Sequence, residues 1–129
     1  MNYKLTKNER LHSEKLIKEL FNKGSSFFLH PFKVLVLDLP VEDNGTVQVL
    51  FSVSKKKIKK AVNRNFIKRR MKEAYRLNKN QLQNISANNK LIGLIYVSAE
   101  VDTFQNIQKR VLKVIDRINS ITDKQNPLP

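Results

Sequence analysis

Phe51-Ser52-Val53-Ser54-Lys55-Lys56-Lys57-Ile58-Lys59-Lys60-Ala61-Val62-Asn63-Arg64-Asn65-Phe66-Ile67-Lys68-Arg69-Arg70-Met71-Lys72-Glu73-Ala74 runs from an apolar stretch, through a lysine-rich turn, into a helical pattern. Residues 46–53 read as a strand, and the spacing from about residue 59 to 77 predicts a helix. Projected at about 100° per residue, Ile67, Met71 and Ala74 fall in one narrow sector and should face a core. Asn65, Arg69, Lys72 and Arg76 gather on the opposite side, with Lys68 beside them. Arginine grips phosphate oxygens with a planar two-armed fork, whereas lysine acts as a point charge. Asn65, neutral among these cations, can hydrogen-bond a base edge or a sugar hydroxyl.

On the N-terminal side, residues 13–22 read as a helix. Ser13 caps it, Leu16, Ile17, Leu20 and Phe21 form its apolar stripe, and Gly24 ends it. Residues 32–39 read as a strand, and Asn44-Gly45 signals a turn. The expectation is an antiparallel hairpin of residues 32–39 with 46–53. Phe27 to His30 adds a short third strand, broken from the next by Pro31. On the C-terminal side, residues 80–90 look like loop. Residues 91–98 form a nearly continuous apolar strand, as a central position covered on both faces requires. Asp102 with Gln105 resembles a capping box. Phe104, Ile107, Val111, Ile115 and Ile118 then trace one face of a last helix. Residues 122–129 are polar, contain proline and read as a frayed tail. Nothing divides the chain, so residues 1–129 read as a single domain. The order of elements gives an α+β sandwich with helices on a small sheet.

Charge selects the partner. The chain of 129 residues carries a net charge of +14, and +11 of it lies in residues 55–79, where twelve bases face one acid, Glu73. The flanking segments carry the balanced charge of an ordinary surface. Acids at helical spacing that could pair with these bases are missing apart from Glu73. Such a segment points to a polyanion, and self-repulsion within it is relieved when one binds. A hydrophobic fraction of 40% excludes a wholly disordered chain. No apolar run approaches membrane-spanning length, and the apolar face of the basic helix is needed for the core, so a membrane is not the expected partner. There is no cysteine, and the first residues lack the apolar stretch of a secretory signal, so the expected compartment is the cytoplasm.

A protein-borne active site is not expected. His12 and His30 lack acidic neighbours at ligand spacing, Glu42-Asp43 sits in a turn, and Ser52 and Ser54 have lysines, not triad partners, beside them. Three glycines cannot build a phosphate-cradling loop. No catalytic and no metal-ligating residue is assigned.

Phe51 to Lys56 followed by Lys60 to Ala74 resembles the protein subunit family of bacterial ribonuclease P. That family has a strand ending Ser-Val-Ser-Lys-Lys, a short basic turn, and a helix containing Ala-Val-x-Arg-Asn-Arg-x-Lys-Arg. Asn8-Glu9-Arg10-Leu11, Phe21 and Gly24 resemble its first helix, so the likeness covers most of the chain. There are three departures. Phe66 stands where the family has the second arginine of Arg-Asn-Arg, the turn is one residue longer, and Lys59 replaces a glycine. The resemblance implies a small mixed sheet with three helices in α-β-β-β-α-β-α order and a left-handed crossover through the basic helix. It implies an endoribonuclease holoenzyme that removes the 5′ leader of precursor tRNA. Hydrolysis is done by ribonuclease P RNA with magnesium ions held mainly by that RNA, and no obligate protein partner is implied. The RNA-binding residues it implies, with the neighbouring helix cations, are Lys55, Lys56, Arg64, Asn65, Lys68, Arg69, Arg70, Lys72 and Arg76. The leader cleft would be formed by Ile17, Phe21, Lys33 and Leu35. Lys33 and Leu35 share one strand face, while Phe32, Val34 and Val36 share the other. The alternative is a non-catalytic ribosomal or ribosome-assembly protein. A helix-inserting DNA-binding protein fits less well, because no turn-helix pair precedes the basic helix.

Overall fold

A computed structural model of the chain describes residues 9–38, 47–81 and 90–125. Its elements are α1 (Glu14–Lys23), β1 (Ser25–Leu29), β2 (Phe32–Asp38), β3 (Val47–Val53), α2 (Ala61–Asn78) with a short 3-10 turn (Lys79–Gln81), β4 (Lys90–Tyr96) and α3 (Phe104–Gln125). The order is therefore α-β-β-β-α-β-α around a four-stranded mixed sheet.

Strand order is β1-β2-β4-β3. β1 and β2 form an antiparallel hairpin, β2 pairs antiparallel with β4, and β4 pairs parallel with β3. The hairpin expected between residues 32–39 and 46–53 is not formed. β4 inserts between them, and the turn residues 41–45 lie outside the described residues. The reason is burial. Leu91 and Ile95 serve one face of β4, and Ile92, Leu94 and Tyr96 serve the other. Only the middle of the sheet, between two strands and two helical layers, removes both sets from water. Because β3 and β4 run parallel, their connection must cross the sheet, and α2 is that connection.

On one face, α2 and α3 bury Ile67, Met71, Ala74, Ile107, Val111 and Ile115 against Val34, Val49, Ile92 and Leu94. Ile67 and Met71 are fully buried, and side chains of this size each contribute about 1.5–3 kcal/mol. On the other face α1 lays Leu16, Ile17 and Leu20 over Leu35, Leu91 and Leu50. Ser13 caps α1, its hydroxyl accepting from the Leu16 N–H at 3.4 Å. Gly24 closes the helix with φ of −68°, so its role is not a left-handed turn. A Cβ there would stand 2.4 Å from the Leu20 carbonyl oxygen.

Two helix boundaries differ from expectation. The cap of α3 is Thr103, whose hydroxyl accepts from the Asn106 N–H at 3.3 Å. Asp102 stands one residue earlier, its carboxylate taking the Thr103 N–H and the Asn106 side chain. Gln105 therefore has no part in the box. The helix then runs to Gln125, into the stretch read as tail, since Pro127 is the first residue that must interrupt it. Residues 126–129 lie outside the described residues. Among the described residues, no helix is long and apolar enough to cross a membrane.

Candidate nucleic-acid interface

The lysine-rich turn is held from within. Ile58, the apolar residue in its middle, is buried in the core. Its N–H donates to the Ser54 carbonyl at 3.0 Å, and the Ser54 N–H donates to the Tyr96 carbonyl at 2.9 Å. The chain therefore turns around a fixed apolar pin, and Lys55, Lys56, Lys57, Lys59 and Lys60 all stand exposed around it. Arg64, one turn into α2, reaches back and donates from one terminal nitrogen to the carbonyls of Ile58 at 2.9 Å and Lys59 at 2.7 Å. The N-cap residue Lys60 gives no side-chain cap, and the first turn of α2 holds no acid. The positive end of the helix dipole thus adds to the field of five lysines.

Along α2 the buried stripe is Ile67, Met71, Ala74, Tyr75 and Asn78. Asn65 and Arg69 are exposed on the outer side, and Lys68, Arg70, Lys72 and Arg76 are half-buried around them. The structure ties some of these cations to the protein. Arg70 donates to the Asp102 carbonyl at 2.8 Å, and its guanidinium lies 5.9 Å from the centre of the Phe66 ring. Arg76 donates to Glu73 at 3.1 Å through Nε and pairs with its other oxygen through a second nitrogen. That hydrogen bond holds the Glu73 carboxyl below the usual carboxylate range and raises Arg76. Lys79 pairs with Glu9 at 2.8 Å. Arg64, Arg70 and Arg76 are among the residues expected to bind RNA. Each of the three holds a group of the protein through part of its guanidinium, while Lys55, Lys56, Asn65 and Arg69 are exposed beside them.

The opposite face of the sheet carries a second feature. Pairing register aligns Phe28, Lys33, Ile95 and Ser52 in one row across β1, β2, β4 and β3. All four point to the side on which α1 lies. α1 covers the neighbouring row of Leu35, Gly93 and Leu50 and leaves this one open: Phe28 and Lys33 are exposed, Ile95 and Ser52 half-buried. Of the four residues expected to form a cleft, Phe21 is 51% exposed and Lys33 is exposed. Ile17 is half-buried against the α1 core, and Leu35 is only 5% exposed. Leu35 is thus packing beneath α1, not a surface a ligand can touch, because it meets Leu20 across the sheet–helix interface. Phe28, 64% exposed, was missed. Its signal was present: in the pair Phe27-Phe28, alternation sends one ring inward and the other outward. The row ends at Ser52, two residues before the turn that opens the basic segment.

His12 and His30 are both exposed, His30 with its ring centre 6.2 Å from that of Phe28. Among the described residues, no group of three or more His, Cys, Asp or Glu is placed to hold a metal ion. Lys90, which begins β4, is 2% exposed and pairs with Asp38 opposite it at 2.9 Å. It is a structural cation that the apolar reading of residues 91–98 stopped short of.

A mixed sheet between one helix and two, with a pinned cationic turn and crossover helix at one end, defines a polyanion-binding α+β protein. A family model of Ribonuclease P matches residues 5–119. The chain is 35% identical over 118 residues to the ribonuclease P protein component of Porphyromonas gingivalis, covering 88% of this chain and 85% of that one. It is 31% identical over 117 residues to that of Clostridioides difficile, covering 91% and 96%. The fold matches the RNase P protein of Staphylococcus aureus with a TM-score of 0.71 at 26% identity, covering 87% of this chain and 96% of that one. For the Thermotoga maritima RNase P protein the TM-score is 0.67 at 24% identity, covering 84% and 96%, a likeness of fold. The chain belongs to the ribonuclease P protein family, as a subunit of a tRNA-processing ribonucleoprotein endoribonuclease. The ribosomal or ribosome-assembly alternative is not favoured.

Proposed function

We propose that the lysine turn and α2 dock this chain onto ribonuclease P RNA, and that the open row beside α1 holds the single-stranded 5′ leader of precursor tRNA. The observation that carries the first half is that Ile58 and Arg64 fix the turn while Lys55, Lys56, Asn65 and Arg69 face outward from one end of the sheet. Rigid cations bind a folded polyanion without first losing the freedom of a mobile loop. The second half rests on Phe28, an exposed ring paired across the hairpin with Lys33, and on Phe21, an exposed ring on α1. Aromatic faces with a nearby cation hold single strands by stacking, with little regard for sequence. The row leads to Ser52, so a strand lying in it is directed toward the basic turn.

Phosphodiester hydrolysis and the magnesium ions belong mainly to the RNA in this reading, since phosphate oxygens are the hard donors that magnesium takes. The protein's part is electrostatic and positional. Its cations offset repulsion between the RNA and its substrate, which lowers the magnesium needed. The cytoplasm is the compartment assigned, with ribonuclease P RNA as the partner, and no obligate protein partner is proposed. The test is to add the purified chain to a bacterial ribonuclease P RNA and measure precursor tRNA cleavage at low magnesium. Stimulation is expected; its absence sinks the proposal.

A further inference from the structure

Phe66 breaks the chemistry of the helix that carries it. It lies on the outer side of α2, about 60° around from Arg69, yet its ring is 48% exposed. One turn earlier Val62 is 57% exposed, so an apolar strip borders the cationic face of α2. A single exposed aromatic residue is ordinary on a protein surface. This one is built differently. Arg70 lies against the ring, 5.9 Å from its centre, and is itself anchored to the Asp102 carbonyl at 2.8 Å. Arg70 also lines, with Arg69, Lys72, Glu73, Arg76 and Phe104, a groove of about 500 Å³ between α2 and the start of α3, in which the one carboxylate, Glu73, is paired with Arg76 and the net charge stays positive. The ring is therefore steadied from one side by a fixed guanidinium and open on another, beside a cationic groove.

We infer that Phe66 is a stacking platform for one unpaired base of the partner RNA, with the adjoining phosphates led into the groove lined by Arg69 and Lys72. The inference rests on the docking of α2 to ribonuclease P RNA proposed above. An apolar protein partner would meet a strip flanked by Arg69 and Arg70 and would have to desolvate them. An unpaired nucleotide supplies both the flat apolar face and the negative charge that this surroundings match. An arginine at this position, as the family pattern has, would grip phosphate; a phenylalanine reads a base face instead.

The chain contains no tryptophan, so Phe66→Trp places a unique fluorophore at the platform. Binding is followed separately by anisotropy of a labelled bacterial ribonuclease P RNA. On saturation the Trp emission should be strongly quenched, whereas heparin, a polyanion without bases, should bind and leave it unchanged. Phe66→Leu should weaken RNA binding by roughly tenfold, within the range of one lost base stack, with the salt dependence unaltered because no charge is removed. A thermal melt matching the parent shows that Phe66→Leu is folded. Unquenched emission with RNA fully bound, equal quenching by heparin, or Phe66→Leu affinity within twofold of the parent would each overturn the platform while leaving the docking of α2 intact. Failure of the unaltered chain to bind the RNA at all would remove the docking and the platform together.

Discussion

One terminal nitrogen of Arg64 sits 2.9 Å from the carbonyl oxygen of Ile58, tying the first turn of α2 to the buried pin of the preceding loop. The same nitrogen takes the Lys59 carbonyl at 2.7 Å. An arginine that sequence alone assigns to RNA is thus spent in part on the protein's own backbone. Arg64→Lys keeps the charge but not the fork. It is expected to cost about 1–2 kcal/mol of stability and to weaken RNA binding while leaving its salt dependence unchanged. A urea melt and a salt titration of RNA binding on the same variant check both statements.

Ile58 is the other half of that relationship. Removing a buried isoleucine down to alanine typically costs about 2–5 kcal/mol. Ile58→Ala should fall within that range, because the side chain is 4% exposed and packs into the main core. RNA affinity should drop further than the melt explains, since the five lysines around the pin lose their fixed directions. Equal RNA affinity at a temperature where the variant is fully folded would refute this.

The cationic end sets a salt signature. Neutralising about six phosphates implies a loss of roughly a thousandfold in affinity between 50 and 200 mM salt. A filter-binding titration gives the slope directly. Lys55→Ala and Lys56→Ala should each lower it by about one contact, whereas Lys79→Ala should not, because Lys79 pairs with Glu9.

On the α1 side, Phe21→Ala and Phe28→Ala should each weaken holoenzyme binding to precursor tRNA by about 1–3 kcal/mol, the range for a lost base stack. Mature tRNA, which has no leader, should bind as before. Equal losses for both ligands would remove the leader from this groove. Leu35→Ala is the contrasting case: it should lower the melting temperature, because its side chain packs beneath α1.

Burial drives the Tyr75 hydroxyl well above the ordinary tyrosine range, helped by the charge of Glu9. The folded protein therefore keeps its proton at a pH where the unfolded chain loses it. Stability from this source is complete below pH 10.0, the ordinary tyrosine value, and falls as pH rises above it toward the folded pKa. Tyr75→Phe should flatten that alkaline decline, which urea melts across pH 9 to 11 would show as a shallower slope than the parent's.

Much of this architecture was legible in the chain because it is local. The stripe Leu16, Ile17, Leu20 with Ser13 before it located α1, and Ile67, Met71 and Ala74 fixed which side of α2 faces inward. The error lay in pairing, which is not local. Asn44-Gly45 between two apolar runs is the ordinary signature of a hairpin, and it suggested β2 against β3. The continuous apolar run at residues 91–98 asked for a central position at the same time, and burial of both its faces outweighed the turn signal. The site divided in the same way. That residues 55–79 meet a polyanion follows from charge alone. That Arg64 and Arg70 hold backbone carbonyls, or that Phe28 aligns with Lys33, depends on register and on contacts 5 to 32 residues apart.

Gly93 occupies the middle of the sheet directly under α1. A methyl group there would stand 3.2 Å from the end of the Leu20 side chain and 3.4 Å from the Leu35 Cβ, which has nowhere to retreat. The Leu20 side chain would have to give by a few tenths of an ångström, and any part of that taken up by α1 would carry Phe21 with it. The height of α1 above the sheet is therefore set by a hydrogen atom in the middle of β4. A residue buried inside the sheet can in this way govern where an exposed ring on the helix above it stands.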